Sequence, residues 1–437
     1  MSKKISLSVL VFTLLAAILL SFMSAYAVCS SMFRQRVTEL EESYSKANDS
    51  KFAKIYELLA TNALFRIDDD SDFSGLMQWF VEEAGDRYAR YYTPEEFAAM
   101  NSDNEGSSVG IGVMVIDNSA EGAIEITNTM PGSAALDAGL QPGDLIIAVI
   151  EGDKRTSVAE LGFEGALKRL KGEAGTTADF VVRRNGTEMD FSIQRRAYEA
   201  LSVTYHVNTV NPKVGVIKLL EFNLTTPHQF ADAMDSLIAS GCEYFLFDVR
   251  YNGGGDLASI TAVLSFMLRE NDIVIRTAGR DESQKLATKV GVVNYPSSSP
   301  YSACNVGKSD IAKYRDKVNG KCAVLANGST ASAAELFTSA LKDYGIAKVV
   351  GTVTYGKGTM QSIYDLSAFG YEGGLKMTTR MYYPPLSDGY DGIGIIPDVA
   401  VELDESLKNK NIYKITDAED NQMNAALTAI IGAQPSA

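Results

Sequence analysis

The stretch Cys322–Gln361, CAVLANGSTASAAELFTSALKDYGIAKVVGTVTYGKGTMQ, decides how the rest of this chain is read. Its apolar run Ala323–Ala326 ends at Asn327-Gly328, the pattern of a strand entering a turn. Ser332-Ala-Ala-Glu335 then opens a helical pattern with Leu336, Ala340 and Leu341 on one face. Lys348–Thr354 reads as a second strand, broken at Gly356-Lys357-Gly358 and continued through Gln361 to Leu366.

Ser332 has two readings. Ser-x-x-Glu before an apolar run is a capping box, and capping serines far outnumber nucleophilic ones. The sharper reading makes Ser332 a nucleophile at a helix start. There the Ala333 amide has no intrahelical partner and the helix dipole favours a developing negative oxygen. Such a serine needs a base. The chain has two histidines, His206 in an alternating run and His228 beside a helix start, and neither has the neighbours of a triad. Lys357 is the alternative, since Ser-Lys pairs replace Ser-His-Asp on several folds. In an extended segment Lys357, Thr359 and Gln361 share a face. Gln361 is then expected to hold the amine by a hydrogen bond without adding a negative charge, which would raise its pKa.

Thr330-Ala-Ser-Ala-Ala-Glu335, followed by Val350-Gly-x-x-Thr-Tyr355-Gly-Lys-Gly-x-x-Gln361, resembles the catalytic region of the carboxyl-terminal processing peptidases, or tail-specific proteases. The resemblance implies Ser332 as nucleophile, Lys357 as base and Gln361 as its partner, at the family's serine-to-lysine interval. Thr330, Ala334 and Tyr355 stand where Ser, Ser and Phe are commoner. Asp248-Val-Arg-Tyr-Asn-Gly-Gly-Gly255 is similar to the family's oxyanion loop, which implies that the Gly254 amide joins that of Ala333. Gly253 replaces the family's proline, so which glycine amide points inward stays open.

Working outward, Asp86–Phe97 resembles the family's Gly-Asp-Pro-Tyr stretch and reads as a fold marker without chemistry of its own. Gly110-Ile-Gly-Val113, Pro131-Gly-Ser133 and Gly143-Asp144 together resemble a PDZ domain. There the amides of Gly110, Ile111, Gly112 and Val113 would capture a terminal carboxylate while the tail adds a strand to a sheet edge. A helix from Glu160 to Lys171 is the other wall of that groove. Tyr382–Asp398 is similar to the family's closing motif. The last helix carries an apolar stripe, Met423, Ala426, Leu427, Ile430 and Ile431, suited to a core or to self-association.

The expected fold class is multidomain, α+β and α/β. Residues 1–33 are a signal peptide or signal-anchor, 34–105 a helical region with the lone Trp79 in its core, and 106–197 a PDZ domain, sandwich-like with two helices. Residues 198–415 form a crotonase-like α/β peptidase core and 416–437 a C-terminal helix and tail.

The 437 residues are long enough for a substantial core. A net charge of −15 argues against nucleic acid as partner, since phosphate binding needs a basic face. Lys3 and Lys4 precede an apolar run, Ile5–Val28, long enough to span a bilayer, with Ala25-Tyr-Ala27 as an acceptable cleavage site. The run's length favours an anchor, and either reading puts the rest on the extracytoplasmic side of the envelope. Cys29, Cys242, Cys304 and Cys322 are too scattered for a staple or a zinc site; Cys304 and Cys322 either pair or stay as separate buried thiols. The whole implies a serine endopeptidase that needs no cofactor and cuts proteins with free apolar C-termini. A homo-oligomer is compatible with the pattern. The rival is an inert PDZ scaffold that binds tails.

Overall fold

The computed structural model describes residues 71–432 apart from 281–284, 409 and 411. The Ile5–Val28 run and residues 34–70 of the expected helical region lie outside them. Among the described residues no helix is long and apolar enough to cross a membrane. Two compact units divide the chain between Trp79 and Phe80. Of the first, only the opening turns of helix α1 (Ser71–Glu82) are described, and there Trp79 is exposed, not the core residue the sequence suggests. Everything below lies in the second unit.

Strand β1 (Arg90–Tyr92) leads to α2 (Pro94–Asn104). Thr93 and Glu96 close a capping box and Pro94 opens the helix. After β2 (Ser107–Gly110) comes an antiparallel sheet with its own core. It contains β3 (Val113–Asn118), β4 (Ala123–Thr129), α3 (Ala134–Asp137), β5 (Leu145–Glu151), β6 (Lys154–Ser157), α4 (Val158–Leu170), β7 (Thr177–Arg184) and β8 (Thr187–Gln194). The strand order is β3-β4-β5-β7-β8 with β6 on β5, which leaves β3 as an edge. Ile124, Ile126, Ile146, Phe180 and Val182 fill the core against Ala166 and Leu170 of α4. Helix α4 is broken at Gly162 (φ 71°). Strand β9 (Arg196–Glu199) pairs antiparallel with β2, so the chain enters and leaves this domain through one ribbon.

The remaining elements are β10 (Val203–Val207), β11 (Val214–Leu219), α5 (Thr226–Ala239), β12 (Tyr244–Asp248), α6 (Leu257–Ser265), β13 (Ile273–Ala278) and β14 (Leu286–Lys289). They continue with α7 (Arg315–Val318), β15 (Cys322–Ala326), α8 (Ala333–Asp343), β16 (Ala347–Gly351), β17 (Thr359–Asp365), β18 (Gly374–Tyr383), β19 (Val399–Ala400) and α9 (Asn421–Ile431). The central sheet runs β10-β11-β12-β15-β16-β19, parallel except for β10 against β11. Buried on both faces, β12 and β15 are continuous apolar runs, as a parallel sheet between helices requires. Phe230, Phe247 and Phe337 pack on one face. Val216, Leu246 and Leu325 pack on the other against Met423 and Ala426, so the apolar stripe of α9 is core.

A second sheet is built on β18, with β17 on one side and β1 and β13 on the other. Here the structure corrects the sequence reading: Lys348–Leu366 is not one interrupted strand. Strand β16 belongs to the central sheet and β17 to the second, and the chain changes sheets at Gly356–Gly358. Two smaller points are decided as well. Thr226 and Gln229 make no capping box; the Gln229 amide instead receives the N–H groups of Ser202 and Val203, which come from another element. Cys304 and Cys322 are both free and buried, each facing a backbone carbonyl.

Candidate active site

In an open parallel sheet, ligands bind beyond the carboxyl ends of the strands. Strand β12 ends at the Gly253–Gly255 turn, and β15 ends at the Asn327–Ser332 turn before α8. The sheet change after β16 brings Lys357 to the same rim. A cavity of about 480 Å3 is lined there by Ser332, Ala333, Lys357, Gln361, Gly253 and Gly255.

Ser332 has φ 56° and ψ −120°. An N-cap residue is ordinarily extended, so capping alone does not explain this serine. A non-glycine residue in that region stores strain of about 1–3 kcal/mol and must be held by its surroundings. Glu335 does much of the holding. Fully buried, it accepts the Ser332 and Lys357 N–H groups on Oε2 (2.9 and 2.8 Å) and the Gly356 N–H and Thr354 hydroxyl on Oε1 (both 2.6 Å). Burial pushes its carboxyl up, and these four donors pull back.

Gly356 needs its glycine. Its φ is +85°, and a Cβ would stand 2.7 Å from the Gly394 nitrogen. The closing motif packs over this turn: Gly392 donates to the Gly356 carbonyl, Asp391 accepts the Gly358 N–H, and Tyr382 donates its hydroxyl to the Lys357 carbonyl. Burial first, then the Lys376 cation, holds the Lys357 amine below the usual lysine range, against the pull of Glu335. The amine nitrogen lies 4.5 Å from the centre of the Tyr88 ring. Gln361 lines the cavity but does not hold the amine here. Its side-chain nitrogen donates to Thr359 and Thr378 hydroxyls at 3.2 and 3.0 Å, because β17 bulges between Met360 and Gln361 and turns it toward β18.

Gly254 is pressed against the serine turn. A Cβ there would meet Ser332 Cβ at 2.7 Å and the Ala333 nitrogen at 2.9 Å, and φ is +109°. Its N–H, however, is donated to Asn252 Oδ1 at 2.8 Å, so in this conformation it does not stand beside the Ala333 amide as an oxyanion donor. The loop is anchored behind by Arg250, buried between Asp248 and Asp420 at 2.7 Å from each.

Residues 213–401 match the model of peptidase family S41, and residues 100–177 match that of the PDZ domain. The chain therefore carries an S41 peptidase domain preceded by a PDZ domain, and it is similar to the carboxyl-terminal processing peptidases. This S41 peptidase is 27% identical over 393 residues to a probable CtpA-like serine protease of Staphylococcus aureus strain N315, covering 89% of this chain and 72% of the relative. It is 27% identical to one of Staphylococcus epidermidis, covering 82% and 66%. The solved photosystem II D1 C-terminal processing protease is similar at 22% identity and a TM-score of 0.42, over 86% of this chain and 93% of that one.

In the peptidase's PDZ domain, Gly110–Val113 lie together at the head of the edge strand β3. Gly110 pairs with Arg196 in the ribbon, and Ile111 is buried with its carbonyl bound to the Ala135 N–H. Gly112 has φ +80° and a Cβ would strike Ser133, while Val113 begins β3. What sequence reasoning missed is the wall of the active site. Asp86 accepts the Thr378 N–H (2.6 Å) and hydroxyl (2.9 Å), and Thr378 in turn receives Gln361. Tyr88 lies under the Lys357 amine. The segment first read as a fold marker therefore frames the lysine. No local pattern shows this, because the contact depends on β1 pairing with β18.

Proposed function

We propose that this serine peptidase cuts proteins near their C-termini with Ser332 as nucleophile and Lys357 as general base. Lys357 Nζ takes the Ser332 Oγ proton as Oγ attacks the scissile carbonyl carbon, then gives that proton to the leaving amine. Water attacks the resulting ester, with Lys357 again taking a proton, and the acid product leaves with Ser332 restored. The observation that carries this reading is the strained Ser332 turn, fastened through one carboxylate to the turn that bears a half-buried, depressed-pKa lysine on the same cavity. Strain of this kind supports function when a reactive group sits on it.

The Ala333 amide, first in α8, holds the oxyanion. A second donor requires Gly254 to turn its N–H away from Asn252, or comes from Gly255, which also lines the cavity. The substrate's terminal carboxylate docks on the amides of Gly110–Val113, with the tail added to β3. The apolar Ile5–Val28 run supports an extracytoplasmic location.

Turnover of an unstructured substrate with an apolar C-terminus tests this. Ser332→Ala and Lys357→Ala are expected to lose turnover while tail binding persists, and turnover at the parent rate in either variant refutes the assignment.

A further inference from the structure

Two tyrosine rings from the Asp86–Tyr92 segment each carry two cations. Arg87 stands 4.7 Å and Lys357 4.5 Å from the centre of the Tyr88 ring. Arg90 stands 4.9 Å and Lys376 5.5 Å from the centre of the buried Tyr92 ring. Register explains the second group: β1 pairs with β18 so that Arg90 is the Cα partner of Lys376. Lys376 and Lys357 line the same cavity, with Tyr92 also on its wall. Two lysines, each placed by a ring, therefore face one partly enclosed space.

The charges around them are unequally balanced. Arg90 is paired with Glu96 at 2.9 Å. Asp86 is occupied by Thr378 and the Tyr88 N–H, and Glu335 by its four donors. Arg87 lies on the exposed side, beside Tyr88. No described carboxylate forms an ion pair with Lys376. Its charge is left to act across the cavity, where low-dielectric walls make a like charge count for more than it does in water.

We propose that Lys376 is a positioning residue that keeps the Lys357 amine unprotonated, with Tyr88 and Tyr92 fixing where the two side chains stand. This rests on Lys357 being the base. After burial, Lys376 is the largest influence holding the Lys357 amine below the ordinary range, ahead of the smaller contribution of Arg87 and against Glu335 and Asp86. Two cations in one space disfavour each other's protonation. The aromatic segment thus supplies the catalytic lysine with a repelling neighbour and a seat.

The test is the pH profile of kcat/KM for the full chain, using an internally quenched peptide with an apolar C-terminus. Removing the like charge raises the Lys357 pKa, so the acidic limb moves to higher pH in Lys376→Met. At the midpoint of the parent limb the variant's rate is expected to fall roughly three- to tenfold. On the alkaline plateau it returns to the parent rate, which a misfolded variant would not do. Lys376→Arg keeps the charge and should keep the limb. An unmoved limb in Lys376→Met overturns the inference, as does a raised KM alone, which would make Lys376 a substrate contact. Lys357→Ala in the same assay separates the two claims. If it stays active, the base assignment fails; if it is inactive and the Lys376→Met limb is unmoved, only the role of Lys376 fails.

Discussion

The backbone N–H groups of Ser332 and Lys357 donate to the same oxygen, Oε2 of Glu335, at 2.9 and 2.8 Å. Residues from turns after two different strands are thus held at one point, and the spacing between nucleophile and base depends on a buried carboxylate. Glu335→Gln puts an amide N–H2 where two donors now converge, leaving the Gly356 N–H unpaired if it replaces Oε1 and the Ser332 and Lys357 N–H groups unpaired if it replaces Oε2. Hydrogen bonds to a buried charge are worth about 1.5–3 kcal/mol each. The variant is expected to lose about 3 kcal/mol in urea unfolding and about a hundredfold in kcat, since small misplacement of reacting groups is costly.

Gly254 and Gly253 make a matched pair. Gly254→Ala would drive a Cβ to 2.7 Å from Ser332 Cβ at a φ of +109°, whereas a Cβ on Gly253 meets nothing within 4 Å. Gly254→Ala should abolish measurable turnover. Gly253→Ala should stay within about 0.5 kcal/mol of the parent in stability. Peptide turnover and thermal unfolding of the two variants check both expectations.

Lys357 weakens the fold it serves. Its pKa in the folded state is lowered from the ordinary lysine value of 10.5 by burial and by Lys376, so the unfolded chain binds that proton more readily. Linkage then makes the lysine's cost greatest below the folded pKa, and stability is recovered as pH rises through the window up to 10.5. Lys357→Met, which cannot ionise, should be the more stable protein at pH 7. The gap should narrow toward pH 10 in chemical denaturation.

Arg250 carries the back of the site. Burial opposes ionisation of Asp248, but Arg250 overrides it and leaves that carboxyl below its usual range. Arg250 also reaches Asp420, which caps α9, and Gln422 within that helix. Arg250→Met strands two buried carboxylates and should cost about 3–5 kcal/mol. Amide hydrogen exchange should rise first in α9.

Much of this was legible in the sequence, and the reasons are local. Asn327-Gly328, the Ser332–Glu335 spacing and the glycines around Lys357 are short-range signals of turns and helix starts. The apolar runs of β12 and β15 announce buried parallel strands. The Gln361 partner and the sheet change at Gly356–Gly358 were not legible, because both depend on β17 pairing with β18 rather than extending β16. Nor were Tyr88 and Lys376, which lie far apart in the chain and meet the site only through the β1–β18 register. Glu335 was read as half of a capping box. Its other three donors come from residues 354–357, too distant for a helix-start motif to report.

Covalent labelling of Ser332 by a fluorophosphonate, followed by intact mass, probes the serine–lysine pair without assuming any substrate. The account predicts one adduct, on Ser332, formed faster as pH rises, absent in Ser332→Ala and slowed at least a hundredfold in Lys357→Ala. Labelling of Lys357→Ala at the parent rate would contradict it.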